Sequence, residues 1–221
     1  MICLLCGQEF SKKEQFLNLI LMKKDDKDLC PDCYKTFERI GDVHCPSCWR
    51  SGYKQQCPDC QAWEKQHHHV SHEALFTYNP SMKEYFSKYK FQGDMLLSHV
   101  FAKDIKLALQ KYKNYTFVPV PISAQRLEER QFNQVTAFLQ AAKLPYAEFI
   151  TKVDSNDKQS ARTRQQRLEV TCPFRLLEHK PIPSHILIID DIYTTGATLK
   201  GIYHLFYEKG AQNVKSFSIV R

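Results

Sequence analysis

Residues 186–200 read Ile-Leu-Ile-Ile-Asp-Asp-Ile-Tyr-Thr-Thr-Gly-Ala-Thr-Leu-Lys and constrain the fold more than any other stretch. Ile186, Leu187, Ile188 and Ile189 leave no polar face. They predict a strand covered on both sides, as in the middle of a parallel sheet. Asp190 and Asp191 stand where that strand should emerge. Thr194, Thr195 and Gly196 form a small polar turn, and Leu199, Ile202, Tyr203, Leu205 and Phe206 then follow helical spacing. The order predicts a phosphate site, because backbone N–H groups at a helix N-terminus are unpaired and the helix dipole favours negative charge. Gly196 would let the backbone approach that phosphate. The two carboxylates can accept hydrogen bonds from ribose hydroxyls or help to hold a divalent metal. In open parallel sheets ligands bind at these carboxyl ends of strands.

Eight of the nine cysteines fall in four Cys-x-x-Cys pairs, Cys3/Cys6, Cys30/Cys33, Cys45/Cys48 and Cys57/Cys60. Each pair aims two thiolates at one point, and two pairs complete a tetrahedral Zn–S₄ site. Up to two structural Zn²⁺ ions are therefore expected. Sequential pairing joins Cys3, Cys6, Cys30 and Cys33 in one site and Cys45, Cys48, Cys57 and Cys60 in the other; an interleaved cross-brace meets the same spacing. A segment this short holds little apolar core, so metal binding is expected to supply much of its folding free energy. His67, His68, His69 and His72 follow the last pair; they offer a further metal ligand, but with eight cysteines available they read as a solvated linker. The ninth, Cys172, reads as a buried structural thiol.

At 221 residues the chain is long enough for a small module and a domain of about 150 residues. The expected division is a zinc module over residues 1–66 and a second domain over residues 71–221. No apolar run approaches the length of a membrane span, and the start does not read as a signal peptide, so a cytoplasmic protein is expected. The net charge of +7 is uneven: residues 1–70 hold ten basic and ten acidic side chains, residues 71–221 twenty-one and fourteen. The excess is either a solvated surface or an affinity for polyphosphate or nucleic acid.

Residues 34–40 predict a short helix packing Phe37 and Ile40 near the metal, and 16–22 a hairpin or helix. Strands are expected over 74–78, 115–121, 147–153 and 214–220. Helices are expected from Ser81 to a stop at Gly93, over 96–109, and over 123–142. Strands alternating with helices argue for α/β architecture with a mostly parallel sheet. Tyr85, Tyr89, Phe91 and Tyr112 have the spacing of core residues; lying among basic residues, they are alternatively a stacking set for single-stranded DNA. Residues 155–169, with Gln159, Arg162, Arg164 and Arg167, have almost nothing to bury. They read as a mobile loop or lid, or as a DNA contact.

The stretch at 186–200 resembles the phosphoribosyl-pyrophosphate (PRPP) motif of type I phosphoribosyltransferases. Together with the cysteine pairs, Lys90-Phe91-x-Gly93-Asp94, Pro119-Val120-Pro121, Arg126, Arg130 and Phe132-Asn133-Gln134, it makes nearly the whole chain resemble the ComF family. These are zinc-finger phosphoribosyltransferase-like proteins. The resemblance implies a type I phosphoribosyltransferase-like sheet flanked by helices and preceded by the zinc module. In it Asp190 and Asp191 hold the ribose 2′- and 3′-hydroxyls, and Thr194, Thr195, Gly196, Ala197 and Thr198 cradle the 5′-phosphate. Ser123 is a further ligand-binding candidate. Mg²⁺ would bridge pyrophosphate and ribose, and Arg126, Arg162 or Arg164 would neutralise pyrophosphate. Tyr193 replaces a commonly smaller residue and is expected to narrow the pocket mouth. In the competence branch of the family the implied role is natural transformation. Members act with the ATPase/helicase ComFA to bring single-stranded DNA into the cytoplasm, where uptake machinery would recruit them to the inner face of the membrane. Three roles remain open: an active phosphoribosyltransferase, a pocket that binds PRPP, a 5′-phosphorylated nucleoside or a DNA end without turnover, and an adaptor whose zinc module docks a partner.

Overall fold

The computed structural model describes residues 1–11, 29–91, 93–153, 172–178 and 180–221. The segment 16–22 and the arginine-bearing stretch 155–169 lie outside these residues. Four parallel strands form the central sheet: β1 (His72–Phe76), β2 (Thr116–Pro119), β5 (His185–Ile192) and β6 (Asn213–Val220), in the order β1-β6-β5-β2. A short antiparallel pair, β3 (Ile150–Lys152) and β4 (Phe174–Leu176), stands apart.

β5 is an interior strand, paired with β2 on one side and β6 on the other. Side chains alternate across a strand, so its apolar run feeds two cores. Leu187 and Ile189 pack with α3 (Pro80–Phe91), α4 (Ala102–Leu109) and α6 (Gln134–Ala141). Ile186 and Ile188 pack with α7 (Ala197–Glu208) through Leu199, Ile202, Tyr203 and Phe206. The predicted α/β sheet with helices on both faces is the observed architecture.

The cysteine-rich segment draws on both cores. Cys3, Cys30, Leu29 and Phe37 belong to the first, and Cys45, Cys48, Cys57 and Cys60 to the second. Phe37 meets Phe101 with ring centroids 5.0 Å apart and Tyr85 at 5.8 Å. A segment too short for its own core thus buries its aromatic in the larger one.

Several predicted elements are redrawn. The helix expected over 34–40 is instead α1 (Pro31–Lys35), with the Cys30 sulfur accepting the N–H of Cys33 at its N-terminus. Beyond it the chain extends along β1, where Ile40 N–H donates to the Leu75 carbonyl and Arg39 bridges Phe76. The unpaired edge of β1 supplies partners that a helix would forgo. The helix expected over 96–109 begins as a 3₁₀ turn, Met95–Phe101, before α4. The helix expected over 123–142 is two, α5 (Ala124–Arg130) and α6, broken where Gln131 adopts φ 64°. Asn133 opens α6, accepting the Val135 N–H at 2.9 Å and donating to the Val120 carbonyl at 3.1 Å.

Tyr85, Tyr89 and Tyr112 are buried in the core, which overturns the stacking alternative for them. His72 is no linker residue. It lies inside β1 with Nδ1 2.8 Å from Ser216 Oγ and Nε2 3.0 Å from Ser218 Oγ, tying β1 to β6. His68 is half-buried and meets Trp63 and Tyr203 edge-on. Cys172 is partly exposed, its sulfur against Gly201. Among the described residues no helix is long and apolar enough to cross a membrane.

Candidate functional site

At the carboxyl ends of β2 and β5 lies a cavity of about 190 Å³. The acidic pair lies near the end of β5, directly before its last residue, Ile192. Asp190 Oδ1 accepts the Asp191 N–H at 2.9 Å, and Asp191 Oδ1 accepts the Ile192 N–H at 2.7 Å. Burial, then the neighbouring Asp191 charge, push the Asp190 carboxyl up to about 7, against the pull of that N–H and of Lys90. Lys90, in the last turn of α3, places Nζ 2.5 Å from Asp191 Oδ2, with both side chains mostly buried. The Lys90-Phe91-x-Gly93-Asp94 motif thereby acquires parts. Lys90 pairs with Asp191, Gly93 turns at φ 68°, and Asp94 caps the 3₁₀ turn through the Leu96 N–H.

Facing the carboxylates are Arg126, Arg130 and Lys152. Burial and the adjacent Arg126 charge lower the Arg130 pKa, and Arg130 Nη1 donates to Gln134 Oε1 at 2.9 Å. Among the described residues, four cations and two carboxylates around one small space favour an anionic ligand that also offers hydroxyls.

Asp190, Asp191, Arg126 and Thr198 of the sequence-derived set line this cavity. Thr194, Thr195 and Ala197 are exposed on the turn above it, while Gly196 is buried. Ser123 lies outside the lining. Its hydroxyl accepts the Arg126 N–H at 3.3 Å and starts the helix that carries Arg126 and Arg130. Arg162, Arg164 and Arg167 lie outside the described residues. Lys90, Arg130, Gln134 and Lys152 join the cavity lining without an expected site role. Lys90, Arg130 and Gln134 sit in the motif segments quoted above, and that was their available signal; Lys152 closes β3, inside the strand expected over 147–153, where nothing local marked it for the site.

The expectation for Tyr193 is corrected. It points inward, its ring tilted 32° against His72 at 4.1 Å between centroids and lying under the Arg221 guanidinium at 4.7 Å. Its hydroxyl lies 2.2 Å from where a Cβ on residue 196 would be, and Gly196 has φ 83°. Glycine is required there on both counts.

The cysteines group in sequence order, Cys3, Cys6, Cys30 and Cys33 in one cluster and Cys45, Cys48, Cys57 and Cys60 in the other. Sulfurs around a tetrahedral Zn²⁺ with bonds of about 2.3 Å sit about 3.8 Å apart. Here Cys6 and Cys30 are 3.9 Å apart, Cys45 and Cys60 3.8 Å, and Cys48 and Cys57 3.5 Å. The donors fit zinc. Burial raises the Cys45 thiol, but N–H groups aimed at its sulfur, that of Cys57 at 3.3 Å among them, win and hold it at about 7. Cys3 is held at about 6 in the same way, with the Cys30 N–H at 3.4 Å. Such donors favour the thiolate that a metal needs.

Comparison with known proteins adds the following. The family model "Phosphoribosyl transferase domain" matches residues 99–221. The chain is 46% identical to the competence protein ComFC of Streptococcus pneumoniae, over all of both chains. It is 34% identical to ComFC of Bacillus subtilis, over all of this chain and 95% of that one. Among solved structures, a hypoxanthine phosphoribosyltransferase from Trypanosoma cruzi is similar over 58% of this chain and 67% of its own, at 17% identity and TM-score 0.36.

Proposed function

Because the chain belongs to the ComF family of competence proteins and carries a phosphoribosyltransferase-like domain, we propose that it serves natural transformation through a pocket for PRPP or a 5′-phosphorylated nucleoside. The observation that carries the reading is the acidic pair Asp190–Asp191 facing Arg126, Arg130 and Lys152 across one small cavity. In this reading the carboxylates take the ribose hydroxyls. The turn from Thr194 to Thr198 takes the 5′-phosphate, and the cations hold the pyrophosphate end. Mg²⁺, when bound, would supply charge neutralisation between pyrophosphate and ribose.

In this reading the labour divides between residues 1–66, the zinc module, and residues 71–221, the phosphoribosyl pocket. The module offers a docking surface for the ATPase/helicase ComFA. In this reading the cavity of about 190 Å³ takes a phosphorylated sugar, and single-stranded DNA runs outside it, with Arg162, Arg164 and Arg167 as its contacts. An active phosphoribosyltransferase is the second reading. It is favoured by the cations around the cavity, which would stabilise a departing pyrophosphate.

Calorimetric titration with PRPP–Mg²⁺ tests the pocket, followed by pyrophosphate release with candidate acceptors. Asp190→Asn combined with Asp191→Asn should abolish binding and transformation while zinc content and fold persist. Unchanged transformation would refute the pocket's role. Pyrophosphate release that depends on an acceptor would establish the second reading.

A further inference from the structure

The turn between β5 and α7 is held from the side of the second cysteine cluster. α2 (Pro58–Glu64) carries both Cys60 and Trp63, and Trp63 Nε1 donates to the Thr195 carbonyl at 2.7 Å. Lys200, one turn into α7, lies 4.7 Å over the Trp63 ring and donates to Gln66 Oε1 at 2.9 Å. The neighbouring carbonyl, that of Thr194, accepts from Arg221 Nη1. The other arm of the same guanidinium, Nη2, donates to Cys48 Sγ at 3.4 Å and lies 3.5 Å from Asp59 Oδ2. Asp59 is itself held by Arg50 at 3.1 Å. The Arg221 side chain is only 8% exposed, and its planar fork is what lets one group bridge a sulfur and a carbonyl.

Carbonyl oxygens repel an anion. Here two consecutive carbonyls of the phosphate turn are occupied by donors tied to the cysteine cluster: Trp63 sits on the helix that carries Cys60, and Arg221 is bonded to the Cys48 sulfur. Donors to metal-bound thiolates orient their ligands, and removing such an outer partner changes the site it supports. The contacts therefore run both ways, from cluster to turn and from turn to cluster.

We propose that Trp63 and Arg221 are positioning residues through which the Cys45/Cys48/Cys57/Cys60 cluster sets the phosphate turn, so that metal held by the cluster and anion held by the turn stabilise one another. The inference rests on the reading above that this turn takes a phosphate. Linkage between two equilibria is reciprocal: what metal occupancy does for the anion, the anion does for the metal by the same factor.

Trp63→Phe removes the indole donor and keeps a ring beneath Lys200; Arg221→Lys keeps the charge and loses the fork. The full-length zinc-loaded protein is titrated with PRPP–Mg²⁺, and zinc transfer to a chromophoric chelator is timed with and without saturating PRPP. One lost hydrogen bond of ordinary strength corresponds to about a fivefold weaker PRPP affinity for Trp63→Phe, with zinc content unchanged. In the wild type PRPP should slow zinc release severalfold, and in Trp63→Phe markedly less. A purely structural role would lower the unfolding midpoint and leave both readouts alone. Equal affinity in wild type and Trp63→Phe, or zinc release indifferent to PRPP, overturns the inference. Should the wild type not bind PRPP at all, the phosphate reading fails and amide exchange over residues 194–198 decides the brace. Faster exchange in Trp63→Phe sustains it, and equal exchange overturns it.

Discussion

Replacing Asp190 by asparagine should make the protein more stable while emptying its pocket. Burial, then the charge of Asp191, raise the Asp190 carboxyl from its ordinary 3.8 to about 7. The folded chain thus binds this proton more tightly than the unfolded chain does. The contribution is fully present below about 4 and is lost as pH rises to 7, so above 7 the fold holds a charge it disfavours. Three pKa units correspond to a ceiling of about 4 kcal/mol. Partial contact with water and the coupling to Asp191 reduce the expected gain to about 2 kcal/mol. Asparagine keeps the shape, and its oxygen can still accept the Asp191 N–H. Urea unfolding in magnesium-free buffer, without chelator so that zinc stays, should show the full gain at pH 8 and roughly half of it at pH 5.5. Asp191→Asn provides the contrast. It orphans Lys90, whose Nζ lies 2.5 Å away in a mostly buried site, and should cost about 1 kcal/mol. No gain for Asp190→Asn at pH 8, or a gain that grows as pH falls, would refute the assignment. Equal gains from both variants would mean that like-charge repulsion, not burial, dominates.

Gly196→Ala should destabilise the fold by about 2 kcal/mol in thermal unfolding, since the Cβ would meet the Tyr193 hydroxyl at a positive φ. His72 is fully enclosed and burial lowers its pKa well below 6.5. Its neutral form is therefore stabilising above pH 6.5. Stability should fall by up to about 1.4 kcal/mol per pH unit below that, a slope that His72→Gln should reduce in urea titrations. Metal analysis should return about two zincs per chain. Chelation should strip the Cys3 cluster first, because Cys6 is exposed whereas all four sulfur ligands of the second cluster are buried; a single release phase would contradict this order. Neutralising Arg162, Arg164 and Arg167 should flatten the salt dependence of single-stranded DNA binding in anisotropy titrations, and an unchanged slope would remove them as contacts.

Local signals carried far in this chain. An apolar run with no polar face forces a strand into a sheet interior, and β5 lies there, carrying near its end the two carboxylates that emerged from the sequence as a pair. Spacing of two residues between cysteines fixes the reach of their sulfurs, so the metal clusters were legible as well; of the two pairings the sequence allowed, the fold takes the sequential one. What the sequence left open depends on partners distant along the chain. Tyr193 turns inward because His72 and Arg221 sandwich it from β1 and from beyond β6. Lys90 reaches Asp191 across about a hundred residues, and Tyr85 and Tyr89, core by their spacing but set among basic residues, are core because Phe37, Phe101 and Phe138 close over them. The helix expected over 123–142 breaks at Gln131, and Asn133 finds the Val120 carbonyl just past the end of β2. Periodicity reports which face of an element avoids water. Which charges then meet at the end of a sheet, and what stands behind a turn, is settled only when the elements pack.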